Sequence, residues 1–141
     1  LVAGAVEYFR RRIPKNVTLN FARCTAEPMQ GMVNDALFEW VVENLLKNAL
    51  DALQGCGAIT VQLSVRDARW ICLDVRDTGK GMPKAHFKRI FQPGFTTKTR
   101  GWGLGLSLSK RIIEEYHNGR IFVFDSEIDH GTTLRVMVRK F

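Results

Sequence analysis

Several things are scarce in this 141-residue chain. It has no run of about 18 apolar residues, which excludes a membrane-spanning helix. Its first stretch, LVAGAVEYFRRRIPK, is apolar and then basic, the reverse of the order in a secretory signal. That stretch, residues 1–15, reads instead as the tail of an upstream helical connection. Cysteines are few: Cys24, Cys56 and Cys72 are widely scattered, odd in number and lack metal-ligand spacing. They exclude a disulfide framework and a zinc site, and read as reduced thiols in or near the core of a cytosolic protein. Internal repeats and low-complexity tracts are missing, so the chain is expected to be a single domain, 1–141.

Acidic residues are the minority, 14 against 21 Lys and Arg, for a formal charge of +7. Such a balance invites a nucleic-acid reading. The basic residues are spread along the whole chain, however, with RRR at 10–12 as the one tight cluster, and no recognition helix or aromatic RNA-binding motif accompanies them. An anionic nucleotide or an acidic partner domain accounts for the charge equally well, and no nucleic acid is expected.

Hydrophobic residues make up 45% of the chain, enough for a core. VTLNFAR at 17–23 alternates as a half-buried strand does. From Asp35 to Gln54, apolar residues recur at three- and four-residue spacing, which predicts a long amphipathic helix closed by Gly55. AITVQLSVR at 58–66 and RWICLDVR at 69–76 predict a hairpin. Pro83 to about Ile90 suits a short helix. FQPGFTTKTRGWG lacks periodicity and reads as a functional loop. A helix over 104–117 is terminated by Asn118-Gly119, and strands at 120–125 and 132–139 flank a turn around Asp129-His130-Gly131. The fold class is α/β: a two-layer sandwich of a mixed sheet with about five strands and three main helices on one face.

Three segments carry chemistry. In NLLKNALDA, Asn44 and Asn48 lie four apart, hence on one helix face. Asparagine is a poor helix-interior residue, so two at this spacing need a reason. Their amide oxygens suit Mg²⁺, although amides that merely face solvent or a neighbouring loop explain the pair too. In DTGKGM, Asp77 follows directly on a strand. A carboxylate there accepts hydrogen bonds only, so it can read the exocyclic amine of adenine, while a plain strand-ending turn is the blander reading. In GWGLGLSLSK, Gly101, Gly103 and Gly105 run into a helix, a combination that lets backbone N–H groups approach a phosphate. Lys98 and Arg100, just before it, either neutralise phosphates or simply face solvent.

Together with FKRIFQPGFTTK and GTTLRV, these segments resemble, in order, the N, G1, F and G2 boxes of the GHKL ATPase/kinase superfamily. They are most similar to the catalytic ATP-binding domain of a sensor histidine kinase. The resemblance spans roughly residues 37–136. It implies the Bergerat fold with a glycine-rich ATP lid, ATP and Mg²⁺ as cofactors, and phosphoryl transfer to a histidine. By that resemblance Asn44 and Asn48 are the metal and phosphate residues, and Asp77 binds adenine with Gly79 and Gly81 shaping the base pocket. Phe91 and Phe95 anchor the lid. Lys98 faces the phosphates, Gly101, Gly103, Leu104 and Gly105 admit the triphosphate, and Thr132 supports the adenine-side hydrogen bonds.

One departure separates branches of the superfamily. Gyrase-, MutL- and Hsp90-like ATPases are similar in placing a water-activating glutamate where this chain has Asn44, which cannot accept a proton usefully at neutral pH. Glu43 lies about 100° around the helix. The kinase branch therefore fits better. His86, His117 and His130 all lack the context of a phospho-accepting histidine. The resemblance thus implies partners: a histidine-bearing dimerisation domain of the parent kinase, and a downstream response regulator. It also implies a cytoplasmic domain whose parent is open to inner-membrane anchoring. The rival readings are a non-catalytic ATP-dependent interaction module, or another GHKL protein kinase or ATPase.

Overall fold

A computed structural model describes residues 1–24, 31–95 and 105–140. The long helix is its centre. Asp35–Leu53 (α2) buries Phe38, Val41, Val42, Leu45, Leu46, Ala49 and Leu53, one continuous stripe of a 3.6-residue period. Asn34 caps its start, the side-chain oxygen accepting the Leu37 N–H at 3.0 Å. The helix stops where Gln54 turns left-handed, at φ 55°.

Among the described residues, five strands form one mixed sheet: Val17–Arg23 (β1), Gly57–Val65 (β2), Trp70–Asp77 (β3), Arg120–Glu127 (β4) and Gly131–Arg139 (β5). Their order is β1-β2-β3-β5-β4, with β1 parallel to β2 and the other pairs antiparallel. Side chains alternate between the faces. Ile71, Leu73 and Val75 enter the core, whereas Asp74 faces the other way and takes Arg135 in a bidentate pair at 2.8 and 2.9 Å. The same alternation sends Asp77, the last residue of β3, inward.

Val2–Arg10 (α1) adds Val2, Ala5, Val6 and Phe9 to the core that α2 and the sheet share. The basic cluster at 10–12 is partly spent within the fold. Arg10 donates to the Leu19 carbonyl and pairs with Glu7, and Arg12 stacks over the Tyr8 ring at 3.6 Å.

Three expectations are revised. Instead of a helix from Pro83 to Ile90, two 3-10 turns occur, Lys84–His86 and Arg89–Phe91. A segment this short cannot repay helix nucleation, and its conformation follows the burial of Ile90 and Phe91. The helix expected over 104–117 is α-helical over Gly105–Arg111 (α3) and then widens to a π turn over Ile112–Tyr116. Asn118, at φ 52°, ends it as expected, and Gly119 N–H reaches back to the Ile113 carbonyl at 2.8 Å. Of the thiols, Cys72 is buried, but Cys24 and Cys56 are exposed because they fall just past β1 and in the turn after α2.

Leu45 is fully buried at the middle of α2. Leu45→Ala is expected to lower unfolding free energy by about 2–5 kcal/mol in urea denaturation. A loss below about 1 kcal/mol contradicts the central packing of α2.

Candidate functional site

The core-facing stripe of α2 leaves one flank for polar work. Asn44, Asn48 and Ala52 are spaced four apart along it, so they line one edge of the helix over about 12 Å. At its upstream end the Asn44 amide meets the start of α3. Asn44 Nδ2 donates to Ser109 Oγ at 3.0 Å, and a Cβ on Gly105 would fall 2.5 Å from Asn44 Oδ1. A side chain there would have to displace the Asn44 amide. At the downstream end Lys80 N–H donates to the Ala52 carbonyl at 3.2 Å. The turn after β3 is therefore fastened to the same helix edge, and half-buried Asn48 lies between the two fastenings.

Asp77 occupies the corner where β3 ends. Its exposure is 4%, and its carboxylate accepts the Gly79 N–H at 2.9 Å and the N–H of Thr132, its neighbour across the β3–β5 ladder. Burial pushes its pKa up from the ordinary 3.8, and the two N–H donors pull partly against that. Gly81 turns the chain at φ 66° so tightly against the Glu127 carbonyl that any Cβ would lie 2.0 Å from it. Thr132 is buried, and its hydroxyl meets Ser126 Oγ at 2.8 Å. Ser126 donates onward to the Gly131 carbonyl and accepts the Met82 N–H, so Thr132 is the donor of that pair. The strand end, the Gly79–Met82 turn and the β4–β5 connection are thereby tied into one polar corner.

The structure thus brings together Asn44, Asn48 and Gly105 on one side, and Asp77, Gly79, Gly81 and Thr132 on the other, along a single helix edge. Phe91 lies off this edge, in the core, with Lys110 Nζ 5.6 Å from its ring centre. Phe95 is half-buried, its ring meeting His86 edge-on at 5.2 Å and the Arg89 guanidinium at 5.3 Å. Lys98, Arg100, Gly101, Gly103 and Leu104 lie outside the described residues.

Sequence reasoning missed Ser109 and Ser126. Each is a serine whose partner is distant in the chain, 65 residues in the case of Asn44 and 44 in the case of Met82. A faint signal existed for Ser109, one of two serines that alternate with leucines at the start of α3.

Among the described residues, no three His, Cys, Asp or Glu side chains converge to hold a metal. An ion at this edge would rely on the amide oxygens of Asn44 and Asn48, water and a ligand's phosphates. That oxygen-only, water-rich set fits Mg²⁺. His117 is not available for chemistry. It is buried, its Nε2 accepts the Asn34 N–H at 2.9 Å, and its Nδ1 therefore donates to the Ile112 carbonyl at 2.9 Å.

A carboxylate with a raised folded-state pKa binds more protons folded than unfolded, so it makes stability fall as pH rises. Asp77→Asn removes that term. From about pH 4 upward, the wild-type protein is expected to lose stability relative to the variant until Asp77 is fully ionised, as read by urea denaturation across pH. A wild-type protein that gains on the variant over that range contradicts the buried-carboxylate account.

Known proteins are similar to this chain in sequence and fold. The family described as histidine kinase-, DNA gyrase B-, and HSP90-like ATPase matches residues 34–140. Sporulation kinase E of Bacillus subtilis is 41% identical over 93 residues, which cover 66% of this chain and 12% of that protein. The chain therefore spans a small part of that relative's length. The solved catalytic domain of histidine kinase ThkA is 28% identical, with a TM-score of 0.86 over 99% of this chain and 90% of that one. ThkA solved with the response regulator protein TrrA gives 25% identity and a TM-score of 0.84, over 99% of this chain and 39% of that one. With the asparagine edge, the buried aspartate corner and the mixed five-stranded sheet all in place, the chain belongs to the histidine kinase-, DNA gyrase B- and HSP90-like ATPase family, as a catalytic ATP-binding domain of the sensor histidine kinase type.

Proposed function

We propose that this domain, 1–141, binds Mg-ATP along the α2 edge and donates the γ-phosphoryl group to a histidine on a separate dimerisation domain. The observation that carries this reading is the placement of both asparagines and the Asp77 corner on one edge of one helix. Asp77, an acceptor, takes the exocyclic amine of adenine, and its donors Gly79 and Thr132 hold it in orientation. Asn44 and Asn48 present amide oxygens toward the phosphate end. When bound, Mg²⁺ supplies positive charge against the phosphate oxygens. Lys98, Gly101, Gly103 and Leu104 are the further residues that the family resemblance assigns to the triphosphate.

The reaction needs positioning and charge neutralisation more than a base. A ring nitrogen of the acceptor histidine attacks the γ-phosphorus, the bond to the β,γ-bridging oxygen breaks, and ADP leaves with that oxygen. The α2 edge offers Asn44 where water-activating relatives use glutamate, which spares ATP from hydrolysis. His117 has both ring nitrogens committed, in keeping with an acceptor on another domain. The solved complex of ThkA with a response regulator supports a receiver partner for this domain also, within a two-component relay.

The test supplies radiolabelled ATP to this domain together with a histidine-bearing dimerisation hairpin from a homologous sensor kinase. Label on the hairpin's histidine is expected, and Asn48→Ala is expected to slow it by about a hundredfold. Asp77→Asn is expected to weaken ATP binding. ATP binding with no transfer to any hairpin places the domain among non-catalytic interaction modules instead.

A further inference from the structure

Asn44 can face a metal or phosphate in two ways, because its amide presents either an oxygen or an NH₂ group. The neighbours decide which. Ser109 sits on α3 with no solvent exposure. Its hydroxyl donates its single proton to the Gly105 carbonyl, one turn back, at 2.8 Å. A carbonyl can only accept, so that proton is committed and Ser109 Oγ has only lone pairs left for Asn44. The atom of Asn44 that meets it at 3.0 Å must therefore be the NH₂ nitrogen, as it is. The oxygen is thereby turned away as the acceptor of the pair and rests against Gly105, where a Cβ would fall 2.5 Å from it.

We propose that Ser109 is a positioning residue for the metal end of the site: through the relay Gly105 C=O, Ser109 Oγ, Asn44 NH₂, it fixes the Asn44 amide with its oxygen available to Mg²⁺ and phosphate-bound water. The relay also joins the first turn of α3, which follows the glycine-rich segment directly in sequence, to the middle of α2. An apolar side chain at position 109 would offer no acceptor, and the amide would be free to turn its NH₂ group toward the cation. The inference rests on the proposed role of Asn44 in binding Mg-ATP.

The experiment is calorimetric titration of a non-hydrolysable ATP analogue, with and without Mg²⁺, into wild type, Ser109→Ala, Asn44→Ala and the double variant. The readout is the factor by which Mg²⁺ tightens binding. Ser109→Ala is expected to lower that factor about tenfold, as loss of a ligand-orienting partner does. It should add nothing further in the Asn44→Ala background. The side-chain amide resonances of Asn44 are expected to shift in Ser109→Ala, with or without nucleotide. If Ser109→Ala does not fold, Ser109→Cys carries the test, since sulfur is close in size and a weaker acceptor; a reduced factor again supports the relay. A wild-type factor or unmoved Asn44 resonances in the Ser109 variant overturn the proposal while leaving the role of Asn44 intact. A wild-type factor in Asn44→Ala shows instead that Asn44 does not serve the metal, and that outcome removes the premise.

Discussion

The burial of α2 against the sheet is the constraint from which the site follows. Seven apolar side chains fix the rotation of this helix about its axis, and a helix with its rotation fixed has no freedom left in its polar flank. Asn44, Asn48 and Ala52 then lie on one edge because four residues are slightly more than one turn. Nothing in the amides themselves could align them so. Core packing, which is non-specific and strong, thereby sets the direction of side chains whose own interactions are specific and weak.

At the end of that edge the fold spends some of the stability it gains. A carboxylate buried at the rim of the core is unfavourable, and its raised pKa records this. Two backbone N–H groups offset part of the cost, and the linked hydroxyls of Ser126 and Thr132 hold the donors in place. The arrangement makes sense as pre-organisation: the acceptor that a ligand needs is desolvated and oriented before the ligand arrives. Gly81 serves the same corner by letting backbone meet backbone where a side chain would have forced the strands apart.

Much of this was readable from the chain. The long helix announced itself through periodicity, its ends within a residue or so, because seven positions repeat one signal. All five strands were legible, β1 from its alternation and β2 to β5 as short strand-like runs around tight turns, and the inward direction of Asp77 follows from counting by twos from Ile71. The order of the asparagine, aspartate and glycine segments identified the family. What stayed hidden depends on tertiary contact. Ser109 and Ser126 are single residues whose meaning lies in partners far along the chain. The π turn over Ile112–Tyr116 leaves no periodic mark, since it shifts register by one residue over one turn, and His117 exploits that shift to bridge the Ile112 carbonyl and the start of α2. The 3-10 turns before Gln92 could not be told from a short helix, because eight residues carry too little pattern.

The proposed site joins an adenine-reading carboxylate to a metal-binding amide pair along one helix edge. It is tested most directly by titrating a non-hydrolysable ATP analogue and its guanine counterpart into the domain, each with and without Mg²⁺. Binding is expected to prefer adenine and to be tightened by Mg²⁺. Equal affinity for the two bases, or no binding of either at millimolar nucleotide, would contradict it.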